Sequence, residues 1–171
     1  MESQIEIINP GQWKEYRDMR LRALKTDPIA FGASYEQGVK KSRKDWKIEL
    51  ADSNRKTYVV RVNGIPVALA AVRFEKAGNV EHLATIYSVF TDPEFRNLGV
   101  GSKLLQKILD DLHTNTKTVK VRLSVNLNQV DAKRMYERAG FFQEGILKKE
   151  MKVGDTYYDQ AQMALIFEDK L

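Results

Sequence analysis

The stretch Arg96-Asn97-Leu98-Gly99-Val100-Gly101 constrains this chain more than any other. It lies between a β-rich run ending in Phe90-Thr91-Asp92-Pro93 and a segment in which Leu104, Leu105, Ile108, Leu109 and Leu112 share one helical face, with Lys103, Gln106, Lys107 and Asp110 on the other. Two glycines two apart free the backbone from the limits a Cβ imposes, so several N–H groups can point at one anion. A helix starting at Gly101-Ser102 adds the positive end of its dipole, and Arg96 and Lys103 add full charges. The stretch therefore predicts strand, turn and helix with an anion site at the helix start.

Two phosphate-holding patterns fail to fit this turn. A P-loop has Lys and then Ser or Thr directly after its second glycine, whereas here Ser102 precedes Lys103 and the glycines stand too close. A dinucleotide fingerprint needs three glycines early in a parallel unit and an acidic residue about 20 positions on.

The flanking residues supply the context. Ile5 to Ile8 reads as a strand stopped by Asn9-Pro10-Gly11. Trp13, Tyr16, Arg20, Ala23 and Leu24 recur mostly at helical spacing up to Asp27-Pro28, and Ser42 with Asp45 resembles the capping box of a second helix in which Trp46 and Leu50 share a face. Between them, Pro28 to Val39 reads as a loop. Thr57 to Val62 and Ile65 to Phe74 flank Asn63-Gly64, a strong hairpin signal, and Val80 to Phe90 continues the run as a third antiparallel strand. Val119 to Val125 alternates as a half-buried strand does, and Ala132, Met135, Tyr136 and Ala139 mark a helix closed by Gly140. Phe141 to Val153 and Thr156 to Phe167 read as two final strands around Gly154-Asp155. The expected class is α/β, more narrowly an α+β mixed sheet, in a single domain over residues 1–171.

Composition narrows the chemistry. At 171 residues, 43% hydrophobic and 30% charged, the chain has the size and balance of one globular domain. No run approaches the ~20 apolar residues that span a bilayer, and Met1-Glu2-Ser3-Gln4 lacks the parts of a signal peptide, so a cytoplasmic protein with no membrane partner is expected. The absence of cysteine excludes disulfides, thiolate metal ligands and cysteine nucleophiles, and His82 and His113 alone do not make a multi-histidine site, so no metal is expected. The net charge of +5 leaves room for an anionic partner. Its densest basic stretch, Lys40, Lys41, Arg43, Lys44 and Lys47, reads as a solvated helix face, so no nucleic-acid partner is expected.

Arg96 to Gly101 resembles, at every fixed position, the turn signature of the GNAT family of acetyl-CoA-dependent N-acetyltransferases: Arg or Gln, two residues, Gly, one residue, then Gly or Ala. Upstream, Ser88-Val89-Phe90-Thr91-Asp92-Pro93 looks like the end of the family's fourth strand; downstream, Ala132, Tyr136 and Gly140-Phe141 look like its Ala, Tyr and Gly-Phe block. The likeness is dense from Tyr87 to Phe141, and the order of elements carries it over nearly the whole chain. It implies a GNAT-like acyl-CoA N-acyltransferase fold, a predominantly antiparallel sheet flanked by helices, with strands four and five splayed around acetyl-CoA as cosubstrate.

Residue by residue, the resemblance implies the following roles. Val89, Phe90 and Thr91 would flank the pantetheine arm, which pairs with the backbone of Val89 and Thr91 like an added strand. Arg96, Asn97, Leu98, Gly99, Val100, Gly101 and Ser102 would cradle the pyrophosphate. The amide of Val89 or its neighbour would polarise the thioester carbonyl, and Tyr136 would protonate the leaving thiolate. Where the family commonly has Asn, seven residues before the Tyr, this chain has Gln129 with Asn128 beside it, and either would meet the cofactor amides.

An amine attacking a thioester must lose a proton, so a base is expected near it. Glu36, in the loop that helps form the acceptor wall in this family, is the first candidate and Glu81 the second. Tyr35, Glu36, Tyr157 and Asp159, if convergent, would suit a cationic amine. The implied activity is direct acetyl transfer to a primary amine of a small molecule or of a peptide or protein. The alternative is a non-catalytic acyl-CoA-binding regulatory module, and a homodimer is compatible with the resemblance.

Overall fold

Asn63 and Gly64 take φ of 50° and 80°, the positive pair that a tight hairpin turn needs, and fold β2 (Arg55–Val62) onto β3 (Ile65–Phe74). In the computed structural model, which describes residues 2–171, this hairpin lies inside one mixed sheet. The remaining strands are β1 (Ser3–Ile7), β4 (Leu83–Thr91), β5 (Lys120–Asn126), β6 (Phe142–Val153) and β7 (Thr156–Ile166). The helices are α1 (Trp13–Thr26), α2 (Tyr35–Val39), α3 (Arg43–Ala51), α4 (Val100–Thr114) and α5 (Val130–Arg138). The sheet order is β1-β2-β3-β4-β5-β7-β6, antiparallel throughout except for β4 and β5. This is the mixed, mostly antiparallel sheet flanked by helices that the sequence predicts.

Alternation along the strands sends successive side chains to opposite faces, and each face is covered by helices. On one face Leu104, Ile108 and Leu112 of α4 pack against Val72, Ile86 and Val121. On the other, Tyr16 and Met19 of α1 and Trp46 of α3 pack against Val59, Leu69 and Phe90. Covered on both sides, β3 is buried without interruption from Val67 to Val72, which explains its continuous apolar run. The expected capping box starts α3: Ser42 Oγ accepts from the Asp45 amide at 3.2 Å, and the Ser42 amide donates to Asp45 Oδ2 at 2.7 Å. Among the described residues no helix is long and apolar enough to cross a membrane.

Apart from shifts of one or two residues at element ends, two segments differ from the sequence reading. The segment Pro28 to Val39 is not all loop, because Ser34 and Gln37 form a second capping box that starts the short helix α2. The third central strand begins at Leu83 rather than Val80. Its ladder closes where the Glu75 amide donates to the Leu83 carbonyl at 3.1 Å, leaving Gly78–Val80 in a 3₁₀ turn outside the sheet.

Candidate active site

The parallel pairing of β4 with β5 runs from Leu83↔Lys120 to Thr85↔Arg122 and then stops. Just past this point the β3–β4 ladder carries a β-bulge. Ala71 faces Tyr87 and Leu69 faces Phe90, so Ser88 and Val89 together oppose Ala70, and Ser88 takes φ of 55° to fit. Beyond the bulge the β5 side of β4 is a free backbone edge, open to a ligand that can pair like a strand. Into this opening runs a cavity of about 1560 Å³, lined by residues from both faces of the split.

The head of α4 forms one wall. Gly99 takes φ of 78° and Asn97 φ of 60°, which turns the chain so that consecutive amides face the cavity side. The amides of Asn97 through Ser102 find no acceptor among the described residues; the first to do so is Lys103, donating to the Gly99 carbonyl at 3.0 Å. Six free donors, the open end of a helix dipole and room to approach make a site for an anion. Gly101 has a separate reason to be small, since a Cβ there would come within 3.2 Å of Met135 Sδ and 3.3 Å of Thr91 Oγ1. Arg96 braces the turn: its Nε donates to the Thr91 carbonyl at 2.9 Å and its guanidinium pairs with Asp27 at the end of α1.

Across the opening stands Tyr136, buried in α5 and held by edge-to-face contact with Phe141 at 6.0 Å. Its hydroxyl has no partner among the described residues, and it lines the cavity. Burial pushes its pKa well above the ordinary phenol range, so the proton stays in place. Such a group can donate a hydrogen bond or a proton and cannot act as a base near neutrality. Asn128 and Gln129 line the same wall, with side chains making no hydrogen bond among the described residues.

The sheet face under α1 and α3 supplies a floor. Arg55, its side chain 5% exposed, donates to Tyr16 and to Glu49 Oε1; Tyr16 donates to the same carboxylate at 2.7 Å, and Lys41 reaches Glu49 Oε2 at 2.6 Å. Burial alone would raise the Glu49 pKa, but the hydrogen bonds from Lys41 and Tyr16 and the Arg55 charge outweigh it and hold the carboxyl at about 2. Arg20 is buried beside this network with its guanidinium 4.8 Å over the Phe31 ring, and Tyr87 lies between Arg55 and Arg73.

The structure brings most of the expected site residues together and separates others. Val89, Phe90, Thr91, Arg96, Asn97, Gly99, Val100, Gly101, Ser102, Asn128, Gln129 and Tyr136 all border one cavity, while the exposed Leu98 points its position away from the lining. The expected bases do not border it. Glu36 sits exposed in the first turn of α2, with its carboxyl hydrogen-bonded at the helix start and its pKa lowered, and Glu81 pairs on the surface with Lys117 at 3.0 Å. The acidic and aromatic acceptor cluster does not form either, since Tyr157 is exposed and Asp159 binds Lys148 at 2.9 Å. In its place stands the Arg20, Arg55, Arg73, Tyr87 and Glu49 floor, drawn from two helices, α1 and α3, and three strands, β2, β3 and β4. The sequence carried one signal of it: Arg20 is a charged residue on the apolar face of α1.

Comparison with known proteins adds relatives. Residues 14–141 match the Acetyltransferase (GNAT) family. An uncharacterized N-acetyltransferase of Methanocaldococcus jannaschii is 31% identical over 93 residues, 53% of this chain and 41% of that protein. The [ribosomal protein bS18]-alanine N-acetyltransferase of Salmonella typhimurium is 30% identical over 82 residues, 48% of this chain and 55% of that protein. The chain thus spans about half the length of these relatives. Among solved structures, a GNAT-family acetyltransferase from Streptococcus pneumoniae superposes with a TM-score of 0.86 at 19% identity, covering 97% of this chain and 100% of that one. Spermidine N-acetyltransferase from Vibrio cholerae, solved with CoA and spermine, gives 0.78 at 17% identity, covering 96% and 95%.

Proposed function

Because this chain belongs to the GNAT acetyltransferase family, we propose that it transfers the acetyl group of acetyl-CoA directly to a primary amine, as one domain over residues 1–171. The observation that carries this reading is the run of free amides from Asn97 to Ser102 at the head of α4, set beside the parted strands β4 and β5. Those amides suit the pyrophosphate, and the free edge of β4 at Val89 and Thr91 suits the amide-bearing arm that follows it. Asn128 or Gln129 supplies further hydrogen bonds from the opposite wall.

In this reading the β4 backbone around the bulge polarises the thioester carbonyl and steadies the charge that gathers on its oxygen as the amine nitrogen bonds to carbon. As the carbon–sulfur bond breaks, Tyr136 gives its proton to the departing sulfur, and the proton shed by the amine nitrogen restores the Tyr136 hydroxyl, so the enzyme ends as it began. Glu49, ionised and already holding three donors, is a poor proton acceptor, so its part is to position the floor.

Calorimetric titration with acetyl-CoA, with CoA and adenosine as controls, tests the donor. Saturable binding of acetyl-CoA is expected, and its absence from the folded protein overturns the proposal. A Gly99→Val variant sharpens the test. The space around Gly99 is open, so the substitution acts through the φ of 78°, which a β-branched residue resists. Displacing the free amides is expected to weaken acetyl-CoA binding about tenfold or more, read by the same titration, with the circular dichroism of the fold retained.

A further inference from the structure

The floor of the cavity holds two hydrogen-bond donors that the protein leaves unused. Arg20 is 7% exposed, yet its Nη1 has no partner among the described residues, and the hydroxyl of Tyr87 is likewise buried and unpartnered. Both residues line the same cavity. A guanidinium offers only donors, and buried donors are paired in the great majority of proteins, so two on one wall call for an acceptor that arrives with a ligand.

The surroundings say what kind. Arg55 and Arg73 flank the Tyr87 ring at 5.4 and 5.2 Å, and Lys41 lies on the same wall. The two carboxylates on this floor are already engaged, Glu49 by Tyr16, Arg55 and Lys41 and Asp45 by the Ser42 amide and hydroxyl, while Asp131 and Glu150, which also line the cavity, come from α5 and β6. The floor thus keeps a surplus of positive charge in a half-enclosed space, where like charge is repelled and an oxyanion is held strongly. Tyr87 is also the residue before the bulge at Ser88 and Val89, so a group held at its hydroxyl belongs to a molecule close to the split in the sheet.

We propose that Arg20 and Tyr87 form a carboxylate-binding subsite and that the acetyl acceptor is a small amine carrying a carboxylate, such as an α-amino acid. The assignment of an acceptor rests on the acetyltransferase reading; the carboxylate subsite itself does not. A polyamine, cationic at every nitrogen, meets Arg20, Arg55 and Arg73 and is disfavoured.

The test compares α-amino acids with their α-carboxamides and their decarboxylated amines, following CoA thiol release from acetyl-CoA. The acids are expected to exceed both partners by about tenfold or more in kcat/KM. Tyr87→Phe, which removes one buried oxygen and no packing, is expected to lower kcat/KM for the acids about tenfold while leaving the decarboxylated amines, which offer that hydroxyl no acceptor, and the acetyl-CoA Kd unchanged; Arg20→Gln is expected to do more. Equal use of acids and carboxamides, or a preference for the decarboxylated amines, overturns the subsite, as does a Tyr87→Phe loss shared by all three. A parallel titration of the full chain with N-acetylated amino acids and their carboxamides separates the two readings. Acid-selective binding that Tyr87→Phe abolishes, with no binding of acetyl-CoA, keeps the subsite and overturns the acetyltransferase proposal. Acetyl-CoA binding without acid selectivity does the reverse.

Discussion

Replacing Tyr136 by Phe is expected to lower kcat by roughly 100-fold, the lower end of what a positioned general acid contributes. The substitution is clean because the hydroxyl has no partner to abandon and the ring keeps its edge-to-face contact with Phe141 at 6.0 Å. Stability and the Kd for acetyl-CoA should therefore change little, and the loss should fall on the chemical step. Burial raises the Tyr136 pKa, so the acid stays loaded with its proton across the neutral range and through moderately alkaline pH. Thiol release at saturating acetyl-CoA and amine measures the effect. Full turnover by the variant would remove Tyr136 from the chemistry and leave it a packing residue.

Glu49→Gln is the second large effect, and it falls on stability. In the folded protein Glu49 accepts from Tyr16, Arg55 and Lys41, and its pKa lies at about 2 against an ordinary 4.5. A carboxyl whose pKa is depressed by folding contributes stability that is fully present above its unfolded value and is lost as pH falls through the folded one. The window here runs from about pH 4.5 down to about 2. The shift corresponds to about 3 kcal/mol, reduced to roughly 2 for the part of the side chain that water reaches. Gln also leaves the buried Arg55 charge without its counter-ion, so a loss of about 2 to 3 kcal/mol is expected at pH 7, or a Tm lower by roughly 5 to 10 °C. Thermal melts at both ends of the window check the sign as well as the size. The gap between wild type and variant should be widest near neutrality and close toward pH 2, and a gap that stays constant with pH would exclude the carboxylate as its source.

Local physics made much of this protein readable from its residues. Asn63-Gly64 can only be a tight hairpin turn between β-rich runs, because its neighbours demand pairing and its backbone accepts positive φ. The apolar stripe of α4 and the glycines before it likewise declare a helix whose start is open to an anion. What the residues mark less clearly is where a strand stops: Val80 looks as β-prone as Val89, and only the ladder closing at Leu83 excludes it.

The donor half of the candidate site comes from two short stretches of chain, within residues 89–102 and 128–136, so a pattern of spacing was enough to anticipate most of the residues that meet at one cavity. The acceptor half has no such pattern. Arg20, Glu49, Arg55 and Tyr87 come from separate helices and strands, and apart from the charge of Arg20 on an apolar helix face each alone looks like an ordinary surface or core residue. Glu36 and, after it, Glu81 were eligible as bases until the fold turned one to solvent on α2 and gave the other to Lys117. The sequence by itself determined the order of elements, the anion-ready turn and the family, since these depend on backbone preferences and on residues close together along the chain. Only the tertiary structure decided which charges share a wall, because a long-range contact costs chain entropy that the whole core repays and no short stretch of sequence records.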